Sequence, residues 1–176
     1  MPHIDLPPLP GIAGLLAAYP DTAGALNGLA ETLLRGPSPL SPAQRESIAA
    51  YVSLRNDCTF CSETHGAVAR RLAQKGDDAV MPELLAIADK VRLGGHEVTA
   101  EDVARARRAG ADDRMIHDTV LIAAAFSMFN RYVDGLATIA PAEPAHYERH
   151  AGVLAEQGYL TAPAAPAATS GSHQDL

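Results

Sequence analysis

Tryptophan is absent, aromatic residues make up 5% of the chain, and cysteine occurs only twice in 176 residues. So thin an aromatic complement excludes an aromatic-rich β-sandwich. Basic residues are in deficit, with 14 Lys and Arg against 21 Asp and Glu and a formal net charge of −7. No basic run interrupts that balance, so the footprint of a nucleic-acid binder is missing and the surface charge serves solubility. No stretch approaches the roughly 20 consecutive apolar residues that cross a bilayer. The first ten residues carry no Lys or Arg and are broken by Pro2, Pro7, Pro8 and Pro10, so they do not read as a signal peptide. A cytoplasmic protein is expected, with neither a membrane nor nucleic acid as partner.

What is plentiful is alanine, about a fifth of the chain, within a hydrophobic fraction of 47%. Alanine is the best helix former, and the length suits one domain. The expected fold class is therefore all-α. The expected organisation is an extended Pro-rich arm over 1–10, a single domain over 11–160 and a disordered Ala/Pro tail over 161–176.

Helix signals recur along the chain. A short helix from Gly11 to Ala18 stops at Tyr19-Pro20. Asp21 is the expected cap of a second, with Leu26, Leu29, Leu33 and Leu34 at helical spacing. Ser41-Pro42-Ala43-Gln44 combines an N-cap, a first-position proline and a capping-box partner, starting a third that runs to Leu54. Asp57 or Cys58 opens a fourth, running to Gln74 and stopped by Gly76. A fifth follows Met81-Pro82, with Leu84, Leu85, Ile87, Ala88 and Val91 inward. Thr99 caps a short sixth, and Asp112 and Asp113 open the longest, which runs to Asp134. Its expected core stripe is Ile116, Val120, Ala123, Ala124 and Met128. Pro144 to Gln157, closed by Gly158, forms the last.

The informative string is Cys58-Thr-Phe-Cys61-Ser-Glu-Thr-His65. On a helix begun at or before Cys58, these two sulfurs and the imidazole share one stripe about 60° wide. Residues three apart on a helix are neighbours, and first-turn N–H groups favour a thiolate. A thiolate with a base and a second thiol in reach attacks a peroxide oxygen, becomes a sulfenic acid and is resolved as a disulfide. Position alone leaves the order of attack open, because the cysteine nearest the helix start usually has the lower pKa. Glu46 is the candidate proton carrier. Its stripe mates Ala49, Ala50 and Ser53 are small, which fits either a surface residue or a carboxylate facing a tightly packed neighbour. Arg45 shares the ambiguity.

Together these residues give E-x11-C-x2-C-x3-H, from Glu46 through Cys58 and Cys61 to His65. The pattern resembles the signature of the AhpD-like alkylhydroperoxidases of the carboxymuconolactone decarboxylase superfamily. The lead-in Arg45 to Asn56 is similar to that family too. So are the segments Val98 to Val103, Ala109 to Asp113 and Phe129 to Leu136, which look like its peroxidase-related branch. The resemblance, covering roughly Pro20 to Thr138, implies an all-α thiol peroxidase that forms a homo-oligomer (dimer, trimer or hexamer). It further implies a hydroperoxide substrate, a dithiol or lipoyl-type reductant and no metal or organic cofactor. By the same resemblance Cys61 is the peroxidatic cysteine and Cys58 the resolving one, with His65 and Glu46 relaying the proton. One position departs from the pattern: the best-known members carry histidine just before the second cysteine, where this chain has Phe60.

Rival readings exist. Cys58, Cys61 and His65 are all zinc ligands, but a closed site wants a fourth, for which only Glu46 is near. Two inert buried thiols are another possibility. At the level of function, the rivals are a lactone decarboxylase-type lyase of the same superfamily and a non-enzymatic helical thiol sensor or scaffold. Phe60, Tyr51 and the longest helix are expected to line an apolar pocket. The other histidines (His3, His96, His117, His146, His150 and His173) read as solvated or structural, and Arg131 as either functional or a buried tie between helices or subunits.

Overall fold

Proline, serine, threonine and aspartate set most of the helix starts. The computed structural model describes residues 1–74 and 79–160. The described residues form eight α-helices and no strand: α1 (Ile12–Ala18), α2 (Pro20–Arg35), α3 (Pro42–Arg55), α4 (Thr59–Leu72), α5 (Met81–Leu93), α6 (Ala100–Arg108), α7 (Asp113–Gly135) and α8 (Pro144–Gln157), with one 3-10 turn at Gly95–Glu97. The all-α expectation holds. At α3, Ser41 Oγ accepts from Gln44 N (3.2 Å) while the Gln44 side chain accepts from Ser41 N (2.8 Å). Thr99 and Asp102 close the same box at α6, and Asp112 caps α7 through Met115 N.

One cap differs from expectation. The second helix begins at Pro20 with Tyr19 as N-cap, and Asp21 lies inside the first turn. Proline lacks an N–H and has φ preset for the first helical position, so it takes that place and moves the start back. The expected stop of the fourth helix at Gly76 and the tail over 161–176 lie outside the described residues. Residues 1–10 carry no helix and run along the end of α7, with His3 N donating to Leu136 O and Gly11 N to Ile139 O.

The longest helix buries part of the expected stripe, with Ala123 fully buried and Ile116 and Val120 partly buried against the core, and adds a second row of larger side chains. Ile122, Phe126, Phe129 and Val133 are inward, whereas Ala124 is exposed and Met128 is 43% exposed. Both rows have i, i+4 spacing, but the second carries the two phenylalanines and removes more apolar area from water. Arg131 is exposed and its side chain donates to Ser127 O of its own helix, so it is not a buried tie between helices of this chain. Its neighbour Asn130 is buried and links α7 to α3 through Ser53 Oγ (2.9 Å).

α3 packs most extensively against α4 and also against α7, α5 and α2. The larger core gathers Leu34, Ile48, Val52, Leu84, Ile87, Ile122 and Phe126. A smaller one, between α4 and α8, gathers Cys58, Cys61, Val68, Tyr147 and Leu154. Ile12 and Tyr159 pack against both clusters. The candidate site lies where they meet.

Candidate active site

α3 and α4 form a helical hairpin, and its geometry brings Glu46 to His65. α3 ends at Arg55, Asp57 turns the chain with φ 59°, and Cys58 is already the N-cap of α4. Aspartate tolerates that left-handed conformation better than most residues. The facing side chains Ala49 and Ser53 are small and fully buried, which lets the helices close on a carboxylate. Of the two environments open to Glu46, the structure shows the packed one.

Glu46 is 0% exposed and all its charge is answered. Oε2 accepts from His65 Nδ1 at 2.7 Å. Oε1 pairs with Arg35 Nη1 at 2.7 Å and accepts from Tyr159 Oη at 2.6 Å. Burial pushes its pKa up, but the charge and hydrogen bond of His65, the charge of Arg35 and the Tyr159 hydroxyl outweigh it, and the net shift is downward. A buried carboxylate is tolerated when it is paired in this way. Tyr159 is pushed well above its ordinary range, first by burial and then by the Glu46 charge, so its hydroxyl remains a donor. Arg45, also buried, serves another purpose: Nη1 donates to Leu33 O and Gly36 O and closes the end of α2.

The imidazole of His65 is clamped. Phe126 meets it edge-on at 4.6 Å between centroids, and Tyr159 stacks nearly parallel at 5.9 Å. With Nδ1 engaged by Glu46, Nε2 is the nitrogen left for the site.

Both cysteines are free thiols, Cys58 0% and Cys61 4% exposed. Cys58 is pushed far up by its hydrogen bond with Cys61, then by burial and by negative charge on Cys61. Among the described residues, no group of three or more His, Cys, Asp or Glu side chains is arranged to hold a metal ion.

A cavity of about 100 Å³ opens beside this cluster. Ile12, Leu16, Leu26, Phe60, Phe126, Phe129 and Leu154 supply an apolar wall, and Asn27, Cys61, Thr64, His65, His150 and Tyr159 supply the polar one. Cys61 lines the cavity, whereas Cys58 does not. Phe60 and the longest helix contribute as expected. Tyr51 does not: five residues beyond Glu46 on the same helix, it points about 140° away from the site face.

Three participants escaped the sequence reading. Arg35 ends α2, and Tyr159 is 113 positions from the carboxylate it bonds; neither has a local signal. His150, expected to be solvated or structural, lines the cavity, and burial, then His146 and His65, push its pKa down. It falls three residues after Tyr147 and four before Leu154, both buried on α8, and that spacing was available to mark it as inward.

Residues 20–100 match the model of the carboxymuconolactone decarboxylase family. A search of curated proteins finds no match. Among solved structures, the chain is similar to a peroxidase-related protein from Silicibacter sp. TM1040, with a TM-score of 0.70 and 24% identity, covering 84% of this chain and 94% of that one. It is likewise similar to a peroxidase-related protein from Ralstonia eutropha JMP134, described as an alkylhydroperoxidase AhpD core, with a TM-score of 0.67 and 25% identity over 80% of each chain.

Proposed function

Since the chain is an AhpD-like member of the carboxymuconolactone decarboxylase superfamily, we propose that it is a thiol-dependent peroxidase that reduces alkyl hydroperoxides through Cys61 and Cys58. One observation carries the reading: Cys61 lines the cavity with an imidazole anchored to a buried carboxylate, while its partner Cys58 is fully buried outside the cavity wall.

In the first step the Cys61 thiolate attacks the terminal peroxide oxygen. The S–O bond forms, the O–O bond breaks, and two electrons pass from sulfur to the peroxide. The alkoxide leaves and takes a proton through His65, whose orientation Glu46 fixes. In the second step the Cys58 sulfur displaces the hydroxyl of the Cys61 sulfenic acid; the S–S bond forms and water leaves with the Cys58 proton. A dithiol or lipoyl-type reductant then returns both thiols.

The proposal includes a homo-oligomer in the cytoplasm. Supporting assembly are alanine-rich helix faces and the apolar side chains of Leu121 and Met128 that α7 leaves 40% and 43% exposed. Light scattering should give a multiple of the chain mass; a monomer removes that part. Among the described residues no helix is long and apolar enough to cross a membrane.

The test is turnover of cumene hydroperoxide with a dithiol reductant. Cys61→Ser should abolish it, and Glu46→Gln should lower it by about 100-fold, the scale of lost acid–base assistance. Unchanged rates in both variants would eliminate the mechanism. Turnover of a lactone substrate insensitive to thiol alkylation would put a lyase in its place.

A further inference from the structure

We infer that Thr64 is a further catalytic residue, the hydroxyl that holds the oxygen leaving from the hydroperoxide. This rests on the peroxidase reading and adds a group that the E-x11-C-x2-C-x3-H spacing does not contain. Thr64 lies on α4 three residues beyond Cys61, so its side chain shares the face of the nucleophile. It is 3% exposed and forms part of the cavity wall. Its Oγ1 has no hydrogen-bond partner, and among the described residues it is the only unpartnered buried hydroxyl that lines this cavity.

That state is unusual for a helical threonine, because the carbonyl four residues back is a ready acceptor. The same molecule shows the ordinary solution twice: Ser47 Oγ donates to Ala43 O at 2.9 Å, and Thr119 Oγ1 to Met115 O at 2.8 Å. Thr64 forgoes the equivalent bond. A buried hydroxyl without a partner is unfavourable, and valine would fill the same volume with nothing left unpaired. Thr64 lines the cavity, so a turn of its side chain that brings Oγ1 toward a polar atom entering there supplies the missing partner. The other polar groups of the wall are Asn27, Cys61, His65 Nε2, His150 and Tyr159, of which the Tyr159 hydroxyl is already given to Glu46; Leu16, Leu26, Phe126 and Phe129 are apolar.

The chemistry of the first step says which atom it is. As Cys61 attacks the terminal oxygen and the O–O bond breaks, negative charge grows on the oxygen attached to carbon. A fixed O–H aimed at that oxygen stabilises the charge as it forms. Thr64 donates this hydrogen bond; the proton that completes the alcohol comes through His65, and no electrons pass through the threonine.

The experiment follows a single turnover of the reduced chain with tert-butyl hydroperoxide, reading the loss of two hydrogens by intact mass. Methylation of Cys61 by methyl iodide, which carries no hydrogen-bonding group, is the parallel measurement. Thr64→Val should slow the peroxide reaction by about tenfold or more, the weight of one hydrogen bond to a developing charge. Its methylation rate should not change, and Thr64→Ser should restore the peroxide rate. Thr64→Val reacting with peroxide at the wild-type rate overturns the assignment, as does a parallel fall in both reactions, or Thr64→Ser as slow as Thr64→Val. In those cases the peroxidase reading stands. A wild-type chain that is methylated at Cys61 but inert to hydroperoxide overturns both.

Discussion

Glu46 shows how much one residue depends on its surroundings. Removed from water, a carboxylate tends to take up a proton; here an arginine, a tyrosine hydroxyl and an imidazole hold it charged. Its pKa in the folded chain lies below the ordinary value of 4.5. Its contribution to stability is therefore complete above the ordinary range and is lost as pH falls through the depressed folded-state value. Thermal unfolding of wild type and Glu46→Gln from pH 7 to pH 3 should show the gap between them closing toward the acid end. A constant gap would mean that the charge contributes nothing. Tyr159→Phe removes only the hydroxyl and should cost about 1.5–3 kcal/mol, the range for a hydrogen bond to a charged group, which a denaturation curve at pH 7 measures. The tetrad itself was legible because its members sit on two consecutive helices, where helical periodicity converts spacing into direction. Arg35 and Tyr159 were not, because only tertiary packing brings them to the carboxylate.

At the scale of elements, helix starts were more legible than helix faces. Ser41, Thr99 and Asp112 each announce a start through a local hydrogen bond, and each forms it. The faces of α7 were ambiguous, because a helix apolar on several sides offers more than one stripe, and the choice falls to whichever fits its neighbours. The segment after α8 shows the other kind of constraint. Gly158 has φ +70°, and a Cβ placed there would lie 2.4 Å from Glu31 Oε2, the atom that accepts from Tyr159 N at 2.7 Å. That turn swings Tyr159 back over the site. Gly158→Ala should therefore cost about 1 kcal/mol or more in stability and lower peroxide turnover through displaced Tyr159. A variant as stable and active as wild type would show that the turn has no part in placing the tyrosine. Gly11, at φ +55°, plays a similar part: a Cβ there would lie 2.1 Å from the Phe60 ring, which lines the cavity.

At the scale of the whole molecule, the site lies where two packed clusters meet and draws its side chains from both. α3 carries the carboxylate, α4 and its N-cap the imidazole and sulfurs, α7 the aromatic wall, and the end of α2 and the turn after α8 the arginine and tyrosine that help hold the carboxylate charged. Helical class followed directly from alanine content and capping signals, but the site's position did not, since it depends on which faces meet. This arrangement places Cys61 at the cavity and Cys58 outside its wall, and the proposed division of labour between them rests on that placement. Intact mass of the reduced chain, taken before and after one equivalent of alkyl hydroperoxide, tests it most directly. The account predicts the loss of two hydrogens in wild type, a single added oxygen retained on Cys61 in Cys58→Ser, and no change in Cys61→Ser. An unchanged wild-type mass, or oxygen accumulating on Cys58 when Cys61 is absent, would contradict it.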